Sequence, residues 1–304
     1  MRILILGAGA VGGYFGGRLV EKGEDVTFLV RPKRKRQLDE NGLVIHSTHG
    51  DFSAEVQTLS PGDHAQPFDL IVLGVKAYHL EQALPSLIPY VGENTAVLPL
   101  LNGITHLQVL KETFGKEKVL GGLCFIETTL NEKGEIEQYS SAHDMVFGEL
   151  DGTDSPRVKR ILSHLSGTRA KVRTSDHILR EMWNKYIFIS TFSGITSLMK
   201  SSIGPILDAP YGKEVTRRLL SEIVTIAKTQ QSDLDEKIEE KVFAILQQIE
   251  PTMKSSMLRD TEKGHAVEAD HLQGSLIQMA PEGMDLPMLK TVYNALKVYE
   301  RNRY

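Results

Sequence analysis

One cysteine, Cys124, stands in 304 residues, so no internal disulfide is available. It lies in an apolar, strand-like run and reads as a buried, inert thiol. The chain has no C-x-x-C, no H-E-x-x-H and no dense His/Cys cluster, which leaves no metal-binding pattern. No apolar run approaches the roughly 20 residues that span a bilayer, and no signal-peptide pattern precedes the first strand-like run. Basic residues number 35 against 39 acidic ones, a net charge of −4, so no cationic surplus points to nucleic acid. There is no internal repeat and no low-complexity segment. What remains fits a cytoplasmic protein of two ordinary domains with a small-molecule partner.

The most informative positive feature is the opening run Arg2-Ile-Leu-Ile-Leu-Gly-Ala-Gly-Ala-Val-Gly. Aliphatic residues make a buried strand, and Gly7, Gly9 and Gly12 follow at G-x-G-x-x-G spacing, with an amphipathic stretch after them. The first glycine makes the tight turn, the second admits a pyrophosphate close to the backbone, and the third lets helix and strand pack. Backbone amides of Ala10 and Val11, at the start of the helix, then face the phosphates. A second strand ends at Val30 and is followed by Arg31-Pro-Lys-Arg-Lys-Arg36. An acid there would accept from a ribose 2′-hydroxyl, whereas a guanidinium pairs with a 2′-phosphate. The expected cofactor is therefore NADPH (NADP+), with Arg31 its first reader and Lys33 and Arg34 as helpers.

Strand-like runs at 3–6, 26–30, 70–75, 96–101 and 119–127 alternate with helical stretches at 77–88 and 105–114. This alternation predicts a doubly wound parallel sheet of Rossmann type. Residues 43–59 read as an inserted strand pair, and 135–150 as strands extending the sheet. A helix over 155–166 and a short strand at 171–173 follow. Beyond His177 the period is helical over 177–199, 212–230, 234–248, 262–280 and 286–302. The expectation is an α/β fold in two domains. Residues 1–174 form an NADP-binding Rossmann-like domain, and 175–304 an all-α domain, with a ligand cleft between them.

Lys76 and Asn102 close two neighbouring strand runs, where an open α/β sheet receives its ligands. Lys185 lies among apolar residues, Trp183-Asn-Lys-Tyr-Ile-Phe188. It is either a general acid with a depressed pKa or a lysine whose stem covers apolar surface. Ser256 can donate to a carboxylate or serve a helix terminus. Glu268 can hold a substrate hydroxyl or sit on the surface.

Taken in order, several segments resemble the ketopantoate reductase (2-dehydropantoate 2-reductase) family over nearly the whole chain. They are Gly-Ala-Gly-Ala-Val-Gly12, Arg31, Val75-Lys-Ala77, Leu101-Asn-Gly103, Trp183-Asn-Lys185, Ser255-Ser-Met257 with Asp260, and Val267-Glu-Ala-Asp270 with Gly274. The resemblance implies hydride transfer from NADPH to the carbonyl carbon of a 2-oxo acid. It makes Lys185 the general acid and places Glu268 at the substrate hydroxyl. Ser256 meets the carboxylate, and Lys76 and Asn102 lie near cofactor and reacting centre. The implied reaction reduces 2-dehydropantoate to (R)-pantoate on the way to pantothenate and coenzyme A.

Three positions depart from the family pattern. Where it has asparagine that binds substrate, this chain has Ile189, Ser193 and Met253. Ser193 can still serve a small polar group, while the other two remove polar partners, which favours a less polar 2-oxo acid. A non-catalytic NADPH sensor is the third reading, and retained Lys185 and Glu268 argue against it. The helical half can support a homodimer, although no heptad seam or apolar stripe marks one.

Overall fold

β1 (Arg2–Leu6) is fully apolar from Ile3 to Leu6 because both its faces are covered. In the computed structural model, which describes residues 1–303, the chain folds as two compact units. The first comprises Met1–Leu101 and His106–Leu179. The second comprises Asn102–Thr105 and the chain from Arg180 onward.

In the first unit β1 is central. It pairs in parallel with β2 (Asp25–Leu29) on one side and with β6 (Phe68–Leu73) on the other. The helix α1 (Ala10–Lys22) connects β1 to β2, and α2 (Pro32–Asn41) follows β2. Two hairpin strands, β3 (Leu43–Ser47) and β4 (Phe52–Ala54), come next, and β5 (Gln57–Leu59) then joins the outer edge of β2. After β6 come α3 (Leu80–Leu87) and β7 (Val91–Pro99), giving a parallel sheet of order β5-β2-β1-β6-β7. The order reverses between β1 and β6, so the crevice at their carboxyl ends is where such sheets bind ligands.

The remaining strands correct the sequence-based expectation. After α4 (His106–Phe114), β8 (Gly121–Leu130) and β9 (Ile136–Gly148) pair with each other antiparallel. They do not extend the parallel sheet; the segment just before β8 touches it through an isolated bridge between Val97 and Val119. With β3, β4 and, after α5 (Pro156–Leu165), β10 (Lys171–Thr174), they make a second five-stranded sheet. Alternation of strand and helix cannot distinguish one sheet from two.

The helix α1 lies between the two sheets and is bare on both sides. A methyl group at Gly12 would overlap the Gly7 carbonyl oxygen, and one at Gly16 would lie 2.6 Å from the Phe28 ring, both in the parallel sheet layer. On the neighbouring face a methyl at Gly13 would lie 2.6 Å from Ile136 Cδ1, and one at Gly17 would lie 2.5 Å from Ile45 Cδ1. One hydrophobic cluster joins Ile3, Ile5, Phe15, Leu43, Ile45, Ile136 and Phe147 through this helix. The buried Tyr14 hydroxyl is hydrogen-bonded to His143 Nδ1 of β9 at 2.8 Å, and the His49 ring stacks on His143 at 3.5 Å.

The second unit is helical. It contains α6 (Ile178–Met199, from Arg180), α7 (Ile203–Asp208), α8 (Gly212–Gln230), α9 (Ile238–Gln248), α10 (Ser256–Glu262), α11 (Ser275–Met279) and α12 (Pro287–Asn302). Its core is built from Tyr186, Ile187, Ile195, Leu219, Ile223, Phe243, Leu272, Leu289 and Val292. The stretch 262–280 is not one helix. α10 ends at Glu262, and a π turn, Asp270–Gly274, leads into α11. No helix among the described residues is long and apolar enough to cross a membrane.

Two expected outcomes follow. Gly12→Ala should destabilise by about 1–3 kcal/mol, because a backbone oxygen cannot give way. Gly13→Ala should stay within about 1 kcal/mol, because Ile136 Cδ1 can turn aside and alanine gains helix propensity. Denaturant melts of the two variants test this ordering. Burial, with the charges of His49, Arg18 and Lys171, holds the His143 pKa below its ordinary value, and Asp144 only partly offsets them. The unfolded chain then binds the extra proton near its usual pKa of about 6.5. Stability should be full above that pH and fall as the pH drops below it. His143→Gln should flatten this slope in thermal melts between pH 7.5 and 5.

Candidate active site

The dinucleotide turn is built at the end of β1. Gly7 takes a left-handed φ of +89° and its amide donates to the Leu29 carbonyl at 3.0 Å, which fixes the turn against β2. Gly9 is the N-cap of α1, without a side-chain cap and without an acid in the first turn. The first amides of α1 therefore keep an anion-binding character. Nothing lies within 4 Å of where a Gly9 side chain would start. Gly9 thus borders open space while Gly12 has none, which fits a pyrophosphate over the former and tight packing at the latter.

At the end of β2, Arg31 is the exposed N-cap of α2, and Lys33 is exposed beside it. Burial and the Arg31 charge both pull the His79 pKa down, so the guanidinium stands near the segment that follows β6. Lys35 is occupied by Asp39 and Thr58. Arg34, expected beside Arg31, points instead at the glycine turn, donating from Nε to the Ala8 carbonyl at 3.0 Å. β6 ends at Leu73, and a methyl on the next residue, Gly74, would lie 2.5 Å from Gly12 Cα. Lys76 does not end the strand. It is three residues beyond, half-buried, as the N-cap of a short helical turn, Ala77–His79.

In the helical unit, the Asn102-Gly103 turn packs on the π turn. A methyl at Gly103 would lie 3.2 Å from the His271 carbonyl and 3.9 Å from the Tyr186 ring. Lys185, Ile189 and Ser193 recur every four residues on α6 and share a face. Lys185 and Ile189 are half-buried, and Ser193 is buried. The neighbour of Lys185, Tyr186, directs its hydroxyl to the Leu272 carbonyl at 2.7 Å and shares a hydrogen bond with Ser275 at 2.6 Å. Burial drives this phenol's pKa far up, so it stays a donor.

The π turn is held at two further points. Gln273 Nε2 donates to the Ser190 carbonyl at 3.0 Å and to Ser193 Oγ at 3.3 Å. Asp270 accepts from Tyr293 at 2.7 Å and from Lys297 at 2.8 Å, both on α12. Glu268, two residues before the turn, is buried. Ser256 is exposed in the first turn of α10. The N-cap is Ser255, buried, accepting from the Leu258 amide and hydrogen-bonded to Thr196 Oγ1 at 2.8 Å. Ile189 and Met253 pack against the helical core. A cavity of about 370 Å³ lined by Arg180, Asn184, Asp233, Asp235, Ile238 and Lys241 contains none of the predicted residues.

Family-model matches divide the chain as its folding does. "Ketopantoate reductase PanE/ApbA" matches residues 3–152, and its C-terminal counterpart matches 177–300. The chain belongs to the ketopantoate reductase family. It is 43% identical over its full length to an uncharacterised oxidoreductase, YkpB, of Bacillus subtilis, covering all of both chains. It resembles the crystal structure of 2-dehydropantoate 2-reductase from Geobacter metallireducens, with TM-score 0.89 and 27% identity over 98% of this chain and 99% of that one. D-mandelate dehydrogenase with NADH and anilino(oxo)acetate shares the fold, with TM-score 0.91 and 22% identity over 100% and 99% of the chains. NADH is bound in that dehydrogenase structure, and in this chain the open Gly9 cradle and the uncapped start of α1 leave room for the phosphates of such a dinucleotide.

Sequence reasoning about this ketopantoate reductase family member missed Tyr186, Gln273 and the π turn. A tyrosine beside a lysine carries no signal of its own, and a π turn shares its apolar spacing with an ordinary helix. Asp270 was legible only as a motif letter, and its partners lie on α12. Tyr186→Phe should cost about 1–2 kcal/mol, because the Leu272 carbonyl and Ser275 lose a buried partner. A urea melt with unchanged m value would register it.

Proposed function

We propose that this chain is an NADPH-dependent 2-oxo acid reductase. When bound, the nicotinamide supplies the hydride to the carbonyl carbon. Lys185 stabilises the charge gathering on the carbonyl oxygen and gives it a proton. Glu268 accepts a hydrogen bond from the substrate hydroxyl, Asn102 and Lys76 lie near the cofactor and reacting centre, and Ser256 meets the carboxylate. Gly7, Gly9, Ala10, Val11 and Gly12 cradle the dinucleotide, with Arg31 at the 2′-phosphate. The observation that carries the reading lies in the helical unit. Lys185 and its neighbour Tyr186 share α6, and Tyr186 binds the π turn that begins two residues after the buried Glu268. A proton donor and a carboxylate are thus carried by elements bolted to each other.

For the substrate, the first reading is 2-dehydropantoate, reduced to (R)-pantoate for pantothenate biosynthesis in the cytoplasm. A less polar 2-oxo acid is the second, and a specific observation favours it. Ile189 and Met253 are committed to apolar packing, and the Ser193 hydroxyl already accepts from Gln273. The two readings part on one pair of compounds, because 3,3-dimethyl-2-oxobutanoate is 2-dehydropantoate without its hydroxyl.

NADPH oxidation with both compounds, and with 2-oxoisovalerate, decides between the readings. A kcat/KM at least about tenfold higher for 2-dehydropantoate supports the first, and the reverse order supports the second. No turnover with any 2-oxo acid overturns both. Lys185→Ala should lower kcat by about 10²–10⁴-fold, measured at saturating substrate, and a wild-type rate would remove Lys185 from the chemistry. Arg31→Asp should shift preference toward NADH, and an unchanged preference would exclude Arg31.

A further inference from the structure

Two guanidinium groups are withdrawn from water in the nucleotide-binding unit, and they are treated differently. Arg18 is buried and pairs with Glu21 at 2.8 Å. Arg34 is half-buried and pairs with no carboxylate among the described residues. Its Nε donates to the Ala8 carbonyl at 3.0 Å, and its Nη1 donates to the Gly134 carbonyl at 2.8 Å and to Gln37 Oε1 at 2.7 Å. The third nitrogen, Nη2, is buried and has no partner. Burial alone lowers the pKa of the group, which still keeps its proton at any physiological pH. A cation out of water with only neutral carbonyls around it is unfavourable until an anion joins it.

The three acceptors fix where the guanidinium lies. Ala8 lies between Gly7 and Gly9, inside the dinucleotide turn. Gly134 is in the turn between β8 and β9, whose tip is gripped a second time by Gln37 donating to the Lys133 carbonyl. Arg34 therefore ties the glycine turn to the hairpin, with its plane fixed by three bonds. Beside Ala8 is Gly9, bordering open space, and the uncapped start of α1. The end of β2, where a 2′-phosphate is read, is the place of exposed Arg31.

We propose that Arg34 is a positioning residue of the dinucleotide turn, holding it against the β8–β9 hairpin and lending it the positive charge that a cofactor pyrophosphate neutralises. The proposal rests on the reading that this unit binds a nicotinamide dinucleotide. It is independent of which 2-oxo acid is reduced. It separates two arginines by what they recognise: Arg34 serves a group that NADH and NADPH share, and Arg31 serves the phosphate that only NADPH has.

Equilibrium binding to the full chain, by calorimetry without any 2-oxo acid, tests it with NADPH, NADH and 2′-AMP, which lacks a pyrophosphate. Arg34→Met should weaken NADPH and NADH equally, by about 10–100-fold, the range of a lost charge-assisted hydrogen bond, and leave 2′-AMP unchanged. Arg31→Met should weaken NADPH and 2′-AMP and spare NADH. A loss with Arg34→Met confined to NADPH, or no loss at all, overturns the proposal. If Arg34→Met does not fold, Arg34→Lys decides. It keeps the charge but cannot span Ala8 and Gly134 together, so both dinucleotides should weaken by the same factor. Wild-type affinity for both in Arg34→Lys would overturn the clamp. A wild-type protein that binds neither dinucleotide would instead refute the cofactor reading itself.

Discussion

The first unit depends on how closely two layers of strand can approach one helix. Sheets normally pack about 10 Å from a helix axis because side chains fill the gap. Here α1 has given up its side chains on two neighbouring faces about 100° apart, Gly12 and Gly16 toward the parallel sheet and Gly13 and Gly17 toward β3 and β9. The gain is a helix start drawn down onto the carboxyl ends of β1 and β6, where its amides are fixed by backbone contact. The cost is entropic, since four glycines within a helix are poor helix formers. Tertiary packing from both sheets outweighs that cost, and Phe15 and Leu19 supply apolar anchors at the helix flanks.

The helical unit solves a different problem, that of holding polar groups inside an apolar bundle. α6 is buried nearly all round from Tyr186 to Ser197, so its hydroxyl residues turn inward. Thr191 and Thr196 satisfy themselves on carbonyls four residues back. Tyr186 instead reaches across to the π turn, and Gln273 of that turn reaches back to the Ser190 carbonyl, while Asp270 is held by α12 from the other side. A turn widened by one residue exposes carbonyls that an ordinary helix would use internally, and those carbonyls are what Tyr186 binds. The segment after Glu268 is thus fixed in place by side chains, none of which the proposed chemistry uses.

Much of this was legible in the sequence. The strand, glycine spacing and helix of residues 2–22 announce their own structure because the signals are local. The helical half is equally legible from its period. The second sheet was not, because β8 pairs with a strand adjacent in sequence while β3 finds β9 about 90 residues away. Side-chain placement was least legible. Ser255 and Ser256 are equivalent letters, and only the helix start decides that the first is buried as a cap and the second is exposed. Arg31 and Arg34 differ by three positions on a helix of ten residues, enough to turn one to solvent and the other to the glycine turn.

The two-sided helix also bears on how the protein must be made. The first face of α1 is covered by strands complete by Pro99, but the other is covered by β3 together with β8 and β9, and β9 ends only at Gly148. A nascent chain emerging from the ribosome therefore holds a glycine-rich helix with an open flank while some fifty further residues are added. During that interval β3 is paired only with β4, and its other edge waits for β9. Vectorial synthesis thus completes one wall of this helix before the other can form.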